Sequence, residues 1–257
     1  MNKKYLPILS SIIVLLSVYY ISQKSNAPIK KSAADSSIII VGTNAEFPPF
    51  ALIDEQQEIT GFDIDIAKEV VQRMGKSIEI KDRSFDMLIP EAQNGSIHII
   101  AAGMTATPER AQQIIFTKPY LKGEPLVVIT LKKNPIQSLD DLKGKEVVVN
   151  EGYTSDTYIS SKPDIHIKRL PAPAESFMDL QTEKSFAYVS ALNAIKPFIQ
   201  KFGPEQFNIF TIQGTNENTA MGISKKYPEL LEQIQPVLDQ MEIDGTIEKL
   251  KKKWNIS

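Results

Sequence analysis

The sequence predicts an α/β protein of two lobes, each a mostly parallel sheet flanked by helices, joined by two hinge strands. Short apolar runs alternate with helical stretches in the order strand, helix, strand, helix, strand, the signature of right-handed crossovers and parallel pairing. That order occurs twice, from residue 38 to 102 and from 146 to 189. Between and after these units run two extended segments, 123–131 and 207–223, and the second returns the chain toward a long C-terminal helical stretch.

The apolar run "IIIV" ends at Gly42 and reads as a buried strand, which "TNAEFPPF" breaks at Pro48 and Pro49. In "GFDIDIAKEVVQRMG", Ile66, Val70 and Met74 recur at helical spacing, with Asp63 as N-cap and Gly75 just past the end. Residues 78–80 form a second strand. A helix opens near Asp86 with Pro90 tolerated in its first turn, and Gly95 closes it. Strand 97–102 then delivers the chain to "GMTATPER". There Thr107 caps a helix, Pro108 takes its first position, and Glu109 complements the dipole. In the second unit, 146–150, 165–167 and 186–189 are strands. "EGYTSDTYIS" is a loop entering a helix, and "ESFMDLQTE" and "ALNAIKPFIQKFG" are helices. The expected division is a leader or anchor plus linker over 1–36, a first lobe over 37–123 and 219–257, and a second lobe over 124–218 with hinge strands at its ends.

Hydrophobic residues make up 42% of the 257, enough for a sizeable core. The formal charge is −2 and no basic tract is interleaved with aromatics, so nucleic-acid binding has no electrostatic footprint. Lys3 and Lys4 precede the uncharged stretch "YLPILSSIIVLLSVYYIS", the order of a secretory signal, at a length close to the shortest bilayer span. Export is expected, to a periplasm, by a cleaved signal or with an N-terminal inner-membrane anchor. Residues 1–34 hold five lysines and no acid, so without them the charge becomes −7, which mildly favours cationic ligands. There are no cysteines, which excludes disulfides, thiolate metal sites and a cysteine nucleophile.

Enzyme signals are scarce. A glycine-rich phosphate loop, a G-x-S-x-G elbow and an H-E-x-x-H helix are all missing, and His98 and His166 sit between isoleucines in expected strands. No catalytic residue, metal or cofactor is expected. In "GMTATPER", Gly103 allows close approach to the backbone, Thr105 offers a hydroxyl, and Arg110 is a planar fork for a carboxylate. Phe47 and Phe85 are expected near the same ends of neighbouring strands, where two rings can sandwich a flat or cationic group, or simply pack in the core. Glu46, Asp86 and Glu151 lie at loop–element junctions, open to the cleft or to solvent.

The blocks "GFDIDIAKEV", "FDMLIPEAQNGSIHIIAAGMTATPERAQQIIFTKPY", "SLDDLKGKEVVVNEGYTSDTY" and "DGTIEKLKKKW" resemble bacterial solute-binding proteins for polar amino acids, the external receptors of ABC importers. The arginine-binding members are the most similar. The resemblance implies the periplasmic-binding-protein-like fold, closing over an amino acid. It places Arg110 at the arginine that grips the ligand α-carboxylate, with Thr154 helping through its backbone N–H. Gly103 and Thr105 match acceptors for the α-ammonium, and Phe47 and Phe85 match the rings flanking the ligand side chain. Asn44, Ala102, Glu151, Tyr153 and Ser155 fall on further pocket positions.

Two departures stand out. The family's aspartate for the ammonium corresponds here to Ala191, and basic-amino-acid binders often carry an acid where this chain has Asn44. Glu46 or Glu151 could compensate. The implied ligand is L-arginine or a similar cation, with glutamine or another polar amino acid as the alternative. The implied partners are inner-membrane permease subunits, and a monomer is expected. A cyclohexadienyl-dehydratase-like enzyme on the same scaffold is the rival, requiring a cleft carboxyl with a raised pKa. A membrane-anchored sensor or adhesin that keeps its N-terminal segment is a third reading.

Overall fold

The computed structural model describes residues 38–256. The expected leader or anchor over 1–36 lies outside them. Among the described residues no helix is long and apolar enough to cross a membrane.

The chain begins with β1 (Ile38–Thr43), then a small antiparallel flap of β2 (Glu46–Phe47), β3 (Ala51–Ile53) and β4 (Ile59–Thr60). Helix α1 (Phe62–Arg73), β5 (Ser77–Asp82), α2 (Phe85–Asn94), β6 (Ile99–Ile100), α3 (Pro108–Ala111) and β7 (Ile115–Phe116) follow. β8 (Leu121–Glu124) leads across Pro125 into β9 (Leu126–Leu131). The second unit is β10 (Glu146–Asn150), α4 (Thr154–Ser160), β11 (His166–Leu170), α5 (Pro173–Gln181), β12 (Ala187–Ala191) and α6 (Leu192–Phe202). β13 (Phe207–Thr211), β14 (Glu217–Thr219), β15 (Gly222–Ile223), α7 (Leu230–Ile243) and α8 (Thr246–Lys253) complete it.

Both five-stranded sheets repeat one plan. In the first, β5-β1-β6 are parallel and β15 is antiparallel to both β6 and β7; in the second, β11-β10-β12 are parallel and β9 is antiparallel to both β12 and β13. The predicted α/β class holds, with mixed sheets. The parallel half of each comes from the strand–helix–strand unit, and the antiparallel half from the segments that travel between them. In each sheet the second strand, β1 or β10, has its crossover partners on opposite sides, β5 and β6 or β11 and β12, and the loops beyond it open a crevice there. Neighbouring residues on a strand face opposite sides, so both faces need cover. Val147 and Val149 pack toward Ile159 of α4, while Val148 packs toward Phe177, Leu180 and Ile195 of α5 and α6. In the first sheet Ile39 and Val41 face α1 and α7, and Ile100 faces Leu88 and Ala92 of α2. The C-terminus is tied to α1, because Asp65 accepts from both Lys253 Nζ and Trp254 Nε1 at 2.7 Å.

Several expectations change in detail. Segment 123–131 is two strands divided at Pro125, and 207–223 is three. The sheet strands at 97–102, 165–167 and 186–189 are Ile99–Ile100, His166–Leu170 and Ala187–Ala191. Asp63 is not an N-cap. Gly61 holds that position at φ 137°, where a Cβ would meet the Phe50 carbonyl, so Asp63 lies inside the helix and is fully buried. Pro90 is the sixth residue of α2 rather than in its first turn. Gly75 and Gly95 do follow their helices with φ of 68° and 85°.

β8 and β14 form a separate antiparallel ladder, pairing Glu124 with Glu217 and Leu121 with Thr219. This is where the chain crosses between the sheets.

Candidate functional site

Beyond β6 the chain becomes a strap, residues 101–110, across the carboxyl end of the first sheet. Gly103 turns it at φ 62°, and a Cβ there would come within 2.4 Å of the Phe47 ring. Its N–H donates to Asp63 Oδ2 at 2.6 Å. The Asp63 carboxyl is therefore a buried strut under the strap. Burial pushes its pKa up to about 7, against the smaller downward pull of the Gly103 N–H and the Tyr120 hydroxyl. Thr107 caps α3 as expected, accepting from Arg110 N–H at 3.3 Å, and Pro108 occupies the first position.

That short helix aims Arg110 into the crevice. Its Nη1 donates to the Thr105 carbonyl at 2.9 Å, and its Nη2 reaches across to the Gly152 carbonyl, beyond β10, at 3.0 Å. The guanidinium carbon stands 5.3 Å from the centre of the Phe85 ring. Burial lowers the pKa of this half-buried cation, with Glu217 the main opposing influence. Among the described residues no carboxylate lies within salt-bridge distance of it. Two of its five N–H donors are committed to carbonyls that a stronger acceptor can replace.

A narrow cavity lies beside it, lined by Phe47, Phe85, Gly103, Thr105, Arg110, Tyr153, Thr154, Ser155, Ala191 and Glu217. A second chamber shares Phe85 as a wall and is lined by Asn44, Glu46, Ser84, Asp86, Glu151 and Pro171. The structure thus gathers nine of the thirteen expected site residues around the first cavity, and Asn44, Glu46 and Glu151 around the second. Ala102 lines neither. Its methyl is buried among Leu88, Ile97 and Met104, so the side chain is core. Asn44 Nδ2 donates to the Arg83 carbonyl at 3.0 Å, which ties this loop to the end of β5.

The aromatic pair needs correction. Phe47 and Phe85 do not face each other across an open slot, because Tyr153 stands against both, with ring centres 5.2 and 4.4 Å away. The Tyr153 hydroxyl is buried without a hydrogen-bond partner, as is the Ser155 hydroxyl.

Sequence reasoning missed Glu217. This buried side chain sits on β14, and its Oε2 accepts from Thr105 Oγ1 of the strap and from Thr154 Oγ1 at the start of α4, each at 2.5 Å. In "GTNENTAMGI" it reads as one more solvated hinge acid. Glu217 and Thr219 share the buried face of β14, but all three residues of that strand are polar, so the sequence carries no signal of it. Its ladder partner Glu124 turns to α6, accepting from the Asn193 N–H that the N-cap Ala191 has no side chain to satisfy. Burial pushes Glu124 up to about 7, and Glu217 adds to the rise.

Both sheets therefore deliver loops from the carboxyl ends of their parallel strands to one crevice spanned by a two-stranded hinge. Residues 39–257 match the bacterial extracellular solute-binding proteins, family 3, and the chain belongs to that family. It is 26% identical over 228 residues to the probable ABC transporter arginine-binding protein ArtJ of Chlamydia trachomatis serovar D, covering 87% of this chain and 88% of that protein. It is similar to the solved structure of an ancestral arginine-binding protein bound to arginine. There the TM-score is 0.78 and the identity 34%, over 85% of this chain and 98% of that one. It is also similar to the ancestral amino acid-binding protein AncCDT-1, a precursor of cyclohexadienyl dehydratase, with TM-score 0.77, 32% identity, and coverage of 85% and 95%.

Proposed function

We propose that this chain is the periplasmic receptor of an ABC importer and takes a cationic amino acid, L-arginine first, between lobes 37–123 with 219–257 and 124–218. As a monomer, the closed receptor then presents both lobes to inner-membrane permease subunits. The observation that carries the reading is Arg110, a half-buried guanidinium aimed into the crevice whose hydrogen bonds, among the described residues, go to the Thr105 and Gly152 carbonyls. A carboxylate is a stronger acceptor than a carbonyl and matches the guanidinium fork in two parallel bonds. Opening the hinge withdraws Gly152 and the Tyr153 ring together, which frees both the fork and the space against Phe85. A ligand side chain passing Phe85 then meets the chamber of Glu46, Asp86 and Glu151. A cation there gains from the ring face by about 1–2 kcal/mol when desolvated.

The test is a thermal-shift screen of the twenty amino acids. Arginine is expected to raise the melting temperature most, since a ligand that binds only the folded state stabilises it by mass action. A protein that no amino acid stabilises contradicts the reading.

A dehydratase-like enzyme is the second reading, favoured by the similarity to AncCDT-1. Against it, the two carboxyls pushed up to about 7, Asp63 and Glu124, line neither chamber. Turnover of prephenate or arogenate by the purified protein would favour the enzyme.

A further inference from the structure

The first cavity holds one cation, Arg110, and one anion, Glu217, and the two are not paired with each other. Nearby opposite charges normally meet in a salt bridge. Here both are spent on the same neutral residue instead. Thr105 accepts from Arg110 through its carbonyl and donates to Glu217 through its hydroxyl. One residue therefore spaces a positive and a negative group along one wall. That is the complement of a molecule whose own two charges are a few bonds apart.

Among the described residues the Glu217 carboxylate has only hydroxyl donors, Thr105 Oγ1 and Thr154 Oγ1, and both fall on one oxygen, Oε2. A buried carboxylate held by neutral donors alone is under-compensated, and a cation brought beside it recovers much of that cost. The hydroxyl protons that point at Glu217 leave the threonine lone pairs free to accept. A –NH3+ group with its three donors fits carboxylate and hydroxyls together. Across the cavity Ala191 contributes a methyl and no acceptor, so no second anion competes for that group.

We infer that Glu217, a hinge residue, supplies the countercharge for the ligand α-ammonium, in place of the carboxylate that position 191 lacks. The inference rests on the receptor reading above. It also makes the ammonium part of closure. Glu217 bonds to Thr105 beside the first sheet and to Thr154 beside the second, so a ligand cation against it is held by the hinge and by both sides of the crevice.

Calorimetry with L-arginine and L-glutamine, each against its analogue lacking the α-amino group, tests this on wild-type protein and Glu217→Gln. The expected result is that the substitution weakens the amino acids about tenfold or more and leaves the deamino analogues within about twofold. Equal weakening of amino acid and analogue would show a merely structural Glu217 and overturn the inference, as would unchanged affinity for the amino acids. A misfolded variant would lose every ligand and melt early, so retained binding of the analogues controls for folding. A wild-type protein that binds neither amino acid overturns the receptor reading itself, and this inference with it.

Discussion

Arg110 donates to the Gly152 carbonyl at 3.0 Å, a bond from the strap of the first sheet to the loop leaving β10 of the second. It is a side-chain latch across the crevice, beside the one that Glu217 makes with Thr105 and Thr154. A carboxylate that takes the fork replaces this latch with a stronger one on the same donors.

The strap should tolerate nothing larger than glycine at its turn. Gly103→Ala puts a Cβ at φ 62° and within 2.4 Å of Phe47. Loss of about 1–3 kcal/mol is expected by chemical denaturation, with weakened binding. Wild-type stability in that variant would show that the Phe47 ring yields freely.

Burial raises Asp63 from 3.8 to about 7, so the native state holds its proton more tightly than the unfolded chain. Stability contributed by the protonated form is present below about pH 4 and is lost as pH rises toward and through 7. Glu124 acts in the same direction from 4.5 to about 7. Asp63→Asn should therefore flatten the decline between pH 4 and 8, by a few kcal/mol at the upper end. Parallel stability–pH curves for variant and wild type would contradict this.

The Tyr153 hydroxyl is buried without a partner. Removing an unsatisfied buried polar atom costs no hydrogen bond, so Tyr153→Phe should be neutral or stabilising by up to about 1 kcal/mol. A drop in melting temperature of several degrees would reveal a partner for that oxygen.

The acidic chamber should discriminate by charge. Glu46→Gln with Glu151→Gln should weaken arginine several-fold, given about 0.2–1 kcal/mol for each exposed pair, and leave glutamine unchanged. Equal loss for both ligands would remove the chamber from ligand selection.

The parallel half of each sheet was legible because buried strands and amphipathic helices carry their periods in consecutive residues. "GMTATPER" was legible because Thr107, Pro108 and Arg110 act within one turn of each other. Asp63 misled because an aspartate at the start of a helical pattern looks the same as a cap or as an inward strut. What decides is the backbone of Gly61 and the N–H of Gly103, forty residues away. Glu217 was invisible for a related reason. Its donors Thr105 and Thr154 lie 112 and 63 residues distant, and the strap meets β14 through the bridge of Thr105 with Thr219. The Tyr153 ring follows a local pattern that places it in a loop, but its seat against Phe47 and Phe85 exists only once the two sheets meet.

The most direct measurement is calorimetric titration of L-arginine into Arg110→Ala beside wild type. The account predicts at least a tenfold loss of affinity, because truncating one partner of a desolvated charge pair typically costs about 2–5 kcal/mol. Equal affinity in the two proteins would contradict it.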